Sequence, residues 1–127
     1  MSERILVIDD EAAIRKSFSL ALEDTGFRVD TAPSGEEGIR MHHERPYDLI
    51  FLDLKMPGLN GIDTLREIRK VDAKTPVYIV TAFHAEFFDD LKASAAAGID
   101  FEVMRKPIGA DDIALLATSV LTGPQIQ

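Results

Sequence analysis

Three short apolar runs constrain this chain more than any other feature. They are "ILVI" (residues 5–8), "LIFL" (49–52) and "VYIV" (77–80). Each is rich in β-branched or aromatic residues and has no polar interruption, so each predicts a strand buried on both faces. Two further runs alternate. "FRVDT" (27–31) places Phe27, Val29 and Thr31 on one face, and "FEVM" (101–104) places Phe101 and Val103 on one face. Alternation predicts one wetter face, as at the edges of a sheet.

Helical patterns separate the runs. Ile14, Phe18, Ala21 and Leu22 recur at helical spacing before a stop at Gly26. Ser34-Gly-Glu-Glu37 reads as a capping box. Ile62, Leu65, Ile68 and Arg69 predict a third helix after the turn "MPGLNG". Phe87, Phe88, Leu91 and Ala95 predict a fourth, stopped by Gly98, and Ile113, Leu116, Ala117 and Val120 a fifth. Strands alternating with helices predict an α/β fold, a doubly wound five-stranded parallel sheet with right-handed crossovers. Buried strands in the centre and half-buried strands at the edges fit the order 2-1-3-4-5, the flavodoxin-like (βα)5 arrangement. Ligands in such sheets bind beyond the carboxyl ends of the strands, at the switch point between strands 1 and 3.

A length of 127 residues suits one domain with a real core. The expected boundaries are a domain over 1–122 and a tail or linker start over 123–127. At 46% hydrophobic and 28% charged residues the chain is too apolar for a disordered one. No apolar run approaches a membrane span, and "MSERILVIDD" lacks the features of a signal peptide, so a cytoplasmic location is expected. There is no cysteine, which excludes disulfides and thiolate metal sites. A net charge of −8 argues against direct nucleic-acid binding.

The chemistry lies where the strands end. The first run leads into Asp9 and Asp10, the third strand into Asp53, the fourth into Thr81, and the fifth into Lys106-Pro107. Taken singly, these residues have simpler readings: an N-cap, a turn former, a strand-end hydroxyl and a solvated lysine. Taken together, those readings leave three carboxylates crowded at one end of the sheet, and like charges that close are unfavourable. A divalent cation removes the conflict. Hard oxygen ligands with no nearby His or Cys suit Mg²⁺, or Mn²⁺.

"ILVIDDE", "DLIFLDLKMPGLNG", "VYIVTA" and "MRKP" together resemble the receiver domain of two-component response regulators, the CheY-like family, over essentially the whole chain. The resemblance implies Asp53 as phosphoacceptor and Asp10 as a direct Mg²⁺ ligand, with Asp9 assisting through water. It also implies the backbone carbonyl of Lys55 as a ligand, Thr81 and Lys106 as phosphoryl contacts, and a cis peptide at Lys106-Pro107. The phosphodonor would be a sensor histidine kinase or a phosphotransfer protein. The protein would be a signalling phosphoacceptor that assists its own phosphorylation and dephosphorylation, rather than an enzyme. Phosphorylation would reshape the face of helix 4, strand 5 and helix 5, for a homodimer or a downstream effector.

The chain departs from the family at one switch position. Receivers usually carry an aromatic residue three places before the lysine, where this chain has Val103. The nearest aromatic is Phe101, five places before. Either strand 5 carries a bulge or the switch works without that ring. Lys55 and Phe83, two places after Asp53 and Thr81, flank the expected path of hydrolytic water. Their chemistry predicts slow autodephosphorylation. Two other readings compete: an aspartyl-phosphate Mg²⁺-dependent phosphatase, and a degenerate receiver acting only as a binding module. The first would place its nucleophile after strand 1 in an acid-x-acid pattern, and the second would lack one of Asp53, Thr81 or Lys106.

Overall fold

The structure, a computed structural model, describes residues 3–82 and 85–122. Its strands are β1 (Arg4–Ile8), β2 (Arg28–Ala32), β3 (Leu49–Asp53), β4 (Val77–Thr81) and β5 (Glu102–Arg105). They form one parallel sheet of order β2-β1-β3-β4-β5, as the burial pattern of the sequence predicts. The helices are α1 (Ala12–Leu22), α2 (Gly35–Glu44), α3 (Gly61–Val71), α4 (Phe88–Ala96) and α5 (Ala110–Thr122), with a 3-10 turn, Ala85–Phe87, leading into α4.

The apolar runs divide their side chains between two cores. Leu6, Ile8, Ile50, Leu52 and Ile79 face Ile62, Leu65 and Ile68 of α3, with α2 and α4 alongside. Ile5, Val7, Leu49, Phe51 and Val80 face Phe18 and Leu22 of α1 and Ile113 and Ala117 of α5. Phe18 meets Phe51 at 5.0 Å between ring centroids, in a tilted pair. Alternate residues of one strand thus feed opposite cores, which is why the central strands read as unbroken apolar runs.

Local signals explain several boundaries and correct others. The Ser34 hydroxyl caps α2 by accepting the Glu37 N–H at 3.1 Å. The Glu37 carboxylate turns outward to Arg40, so only half of the expected capping box forms. Gly98, at φ +85°, ends α4 in a conformation that favours glycine. Strand β5 runs one residue later than 101–104, and its pairing with β4 is one to one, from Tyr78↔Glu102 to Thr81↔Arg105. That register contains no bulge. Phe101 therefore precedes the strand and packs on the α3 side, while Val103 stands opposite Ile79 at 43% exposure. The expected burial of both residues on one edge face holds only in part, since Phe101 is half-buried against the core while Val103 is exposed. Among the described residues, no helix is long and apolar enough to cross a membrane.

Candidate functional site

Asp9 directly follows β1, Asp53 closes β3, Thr81 closes β4 and Lys106 follows β5. Parallel topology brings all four to the carboxyl edge of the sheet, at the β1/β3 switch point. Asp9, Asp53 and Thr81 are buried, at 2%, 6% and 2% exposure, whereas Asp10 is exposed. Carboxylate oxygens of Asp9, Asp10 and Asp53 lie within 4.8 Å of one another. The Lys106 ammonium donates to Asp53 Oδ1 at 3.1 Å and to Asp9 Oδ2 at 3.3 Å. Its backbone N–H donates to the Thr81 carbonyl at 2.8 Å, so the lysine is held by main chain as well as by charge. The Lys106–Pro107 peptide is cis.

The surroundings fix these groups in place. Asp9 Oδ1 accepts the Glu11 N–H at 2.9 Å, so this carboxylate also caps the approach to α1. Arg15, one turn into α1, donates to the Asp9 carbonyl at 2.7 Å. Gly61, the first residue of α3, sits so close to β3 that a Cβ there would lie 2.4 Å from the Asp53 carbonyl oxygen. Only glycine lets α3 start against the end of that strand. Neither role is marked in the sequence. Arg15 is visible as a basic residue six places after the first acid, but its target is a backbone carbonyl, which leaves no sequence signature.

The electrostatics are strained in one direction. Burial, then the neighbouring Asp9 charge, pushes the Asp53 carboxyl up to about 6, against the pull of Lys106. Burial would lower Lys106, but its hydrogen bond to Asp53 and the charges of Asp53 and Asp9 raise it overall. One ammonium, bonded to two carboxylates, thus stands against a cluster of three. The set is all hard oxygen and carries excess negative charge, which fits a divalent cation of the Mg²⁺ type.

A cleft of about 630 Å³ opens over the acids, lined by Asp10, Asp53, Lys55, Met56, Pro57 and Lys106. Glu11, the third acid after β1, also reaches its wall. Lys55 lines this cleft, and its ammonium pairs with Glu86, outside the lining, at 3.5 Å. Phe83, the other expected water-gating residue, lies outside the described residues, as does the expected tail 123–127.

The chain is thus an α/β protein of the flavodoxin-like class, with an acid pocket bridged by one lysine at its switch point. The chain belongs to the response regulator receiver domain family, whose model matches residues 5–118. It is 37% identical over 110 residues to the cell cycle transcriptional regulator CtrA of Caulobacter vibrioides, covering 87% of this chain and 46% of that protein. It is 38% identical over 118 residues to the transcriptional regulatory protein ResD of Bacillus subtilis, covering 93% of this chain and 48% of that protein. The chain thus spans about half the length of these relatives. Among solved structures, a CheY-like receiver domain from Methanospirillum hungatei superposes with a TM-score of 0.85 at 26% identity, covering 96% of this chain and 95% of that one. A receiver domain from Clostridium thermocellum does so with a TM-score of 0.80 at 37% identity, covering 94% of each chain.

Proposed function

We propose that residues 1–122 form a phosphoacceptor that takes a phosphoryl group from a histidine kinase or a phosphotransfer protein onto Asp53. The observation that carries this reading is the buried Asp53 carboxylate held 3.1 Å from the Lys106 ammonium in an open acidic cleft. Burial and the Asp9 charge raise its carboxyl to about 6, and the Lys106 ammonium opposes them by favouring the carboxylate, the form that acts as nucleophile. A carboxylate oxygen of Asp53 bonds to phosphorus as the P–N bond to the donor imidazole breaks. The imidazole nitrogen leaves with the electron pair and takes a proton from solvent. Lys106 faces the oxygens of the transferring group and offsets their charge.

Asp9, Asp10, Asp53 and the Lys55 carbonyl are the groups that would hold Mg²⁺. When bound, the ion supplies charge neutralisation for the carboxylates and the phosphoryl oxygens. The phosphorylated side chain adds charge of roughly −1.5 to −2, and the Thr81 hydroxyl at the end of β4 would contact it. The output surface would be α4, β5 and α5, where Phe88 and Val103 are both exposed. It would serve self-association or an effector. The phosphatase alternative is weaker here, because Asp9, its candidate nucleophile after β1, is buried and does not line the cleft, whereas Asp53 does.

Incubation with acetyl phosphate and Mg²⁺, followed by intact-mass measurement, tests the assignment. One phosphoryl addition is expected in wild type and none in Asp53→Asn or in EDTA. Full addition to Asp53→Asn would overturn it. Sedimentation with and without beryllofluoride tests the self-association arm.

A further inference from the structure

Lys55 and Glu86 form an ion pair between two segments far apart in sequence, with Nζ 3.5 Å from Oε1. Lys55 lies two residues past Asp53, in the loop leaving β3, and lines the cleft. Glu86 lies in the 3-10 turn Ala85–Phe87 that feeds α4. The pair therefore links the phosphoacceptor loop to the entry of a helix on the proposed output face. Both side chains are more than half exposed, at 58% and 61%. Exposed ion pairs of this kind are worth a factor of only about 1.5 to 5 in an equilibrium.

A phosphoryl group on Asp53 would change that balance. It would bring nearly two negative charges and three strong acceptor oxygens to the cleft wall, against the single carboxylate of Glu86. Lysine has a flexible four-carbon stem and three donors, so one ammonium can serve either partner. We propose that Lys55 exchanges partners on phosphorylation, leaving Glu86 for the phosphoryl oxygens. This rests on the reading of Asp53 as phosphoacceptor. Glu86 is then a positioning residue. It holds Lys55 away from the site in the resting state, and its release frees the turn that opens α4. This route from site to surface needs no aromatic ring at position 103.

Two consequences follow from linkage. Removing the Glu86 charge favours Lys55 on the phosphoryl group, which shields phosphorus from water. Hydrolysis requires a water oxygen to bond to phosphorus while the P–O bond to Asp53 breaks. The carboxylate leaves with the electron pair, and the water proton stays on the phosphate or passes to solvent. Shielding by Lys55 slows this attack. Conversely, the phosphoryl group weakens the hold of Lys55 on the Ala85–Phe87 turn.

The test is the decay of phospho-Asp53 by intact mass, after loading with acetyl phosphate and Mg²⁺. Glu86→Gln is expected to lengthen the half-life about two- to five-fold. Lys55→Ala is expected to shorten it, and the double variant to decay like Lys55→Ala alone. An unchanged half-life in Glu86→Gln, or an equal effect of that substitution with and without Lys55, would overturn the exchange. As a second readout, backbone amide shifts of Ala85–Phe87 in unphosphorylated Glu86→Gln should move toward their positions in beryllofluoride-treated wild type. Amides that stay at their resting positions would count against it. No mass gain in wild type would overturn the phosphoacceptor reading and this inference with it, whereas a normal gain with either failure above overturns only the exchange.

Discussion

Lys106 is tied to Asp53 by its ammonium, at 3.1 Å, and to the strand that carries Thr81 by its backbone N–H, at 2.8 Å. The lysine backbone keeps its place even when the charge is removed, so the two roles separate. Lys106→Ala is expected to fold, to lose stability in EDTA by about 1–3 kcal/mol through unpaired carboxylates, and to recover most of it in Mg²⁺. Its phosphorylated form should fail to shift the β5–α5 amides. Thermal melts with and without Mg²⁺, beside amide shifts under beryllofluoride, check both arms. A normal shift pattern in the variant would refute the switching role.

The Asp53 carboxyl gives the pH dependence its sign. Its folded value, about 6, lies above the ordinary value of 3.8, so the cation-free domain binds this proton more tightly than the unfolded chain does. The stability this group contributes is complete below about pH 4 and is lost as pH rises through 6, for up to about 2–3 kcal/mol by neutral pH. Mg²⁺ should restore it. Asp53→Asn should melt higher than wild type in EDTA at pH 7 and respond less to Mg²⁺. Calorimetry between pH 4 and 8 measures this. A cation-free stability that climbs from pH 5 to 7 would contradict the assignment, once other acids are accounted for with the same variant.

Much of this was legible in the residues. The unbroken runs at 5–8, 49–52 and 77–80 encode strands with two buried faces, and order and switch point follow from that. Asp9, Asp53 and Lys106 were legible because topology carries every strand end to the same edge. Less legible were features set by side-chain reach or close approach. Glu86 finds Lys55 across a gap that no periodicity reports, Arg15 answers a backbone carbonyl, and Gly61 is required by a contact with the Asp53 carbonyl. The sequence predicts β5 one residue early because Phe101, a strong strand former by type, packs against the core from just before the strand.

At the other end of the sheet, His42 and Asp72 join α2 to α3. Tyr47 N–H donates to His42 Nδ1 at 3.0 Å, so the ring proton sits on Nε2 and is donated to Asp72 Oδ2 at 2.8 Å. Burial alone would raise the Asp72 carboxyl. Hydrogen bonds from the Thr75 hydroxyl, the Lys74 and Thr75 N–H groups and His42 outweigh it and hold the group well below the usual carboxylate range. Its stabilisation is therefore present above about pH 4 and lost as pH falls further. Asp72→Asn would set an amide donor or a mismatched acceptor against these partners. It should cost about 2–3 kcal/mol at pH 7, with the gap to wild type narrowing toward pH 3. Urea melts at both pH values check the sign, and a gap that widens in acid would refute it.

Gly61 offers a test of position without charge. A methyl group at this residue would lie 2.4 Å from the Asp53 carbonyl oxygen and 2.7 Å from the Leu54 Cα, so backbone must move. Gly61→Ala should lower the rate of phosphorylation by acetyl phosphate at least tenfold, because small misplacements of a nucleophile are expensive. Circular dichroism should still show a folded domain. A wild-type rate would mean that the end of β3 tolerates the shift.

Val103 allows the missing ring to be tested directly. The one-to-one pairing of β4 and β5 puts it opposite Ile79, two residues before the Thr81↔Arg105 pair and on the same face of the sheet as Thr81. Phe101 lies a further two residues back, just before β5, on the wrong side of Val103 to reach the Asp53 end of the sheet. If α4 is already governed by the Lys55–Glu86 pair, an aromatic at 103 adds a second coupling and does not create the first. Val103→Tyr should leave the phospho-Asp53 half-life within about two-fold of wild type, because position 103 does not line the cleft. It should enlarge the beryllofluoride-induced shifts of β5 and α4 amides, as the ring gains a second rotamer against Thr81. Wild-type Val103 should still show shifts in the Ala85–Phe87 turn. Shifts that appear in the tyrosine variant and nowhere in wild type would show that the native chain lacks a working relay to this face.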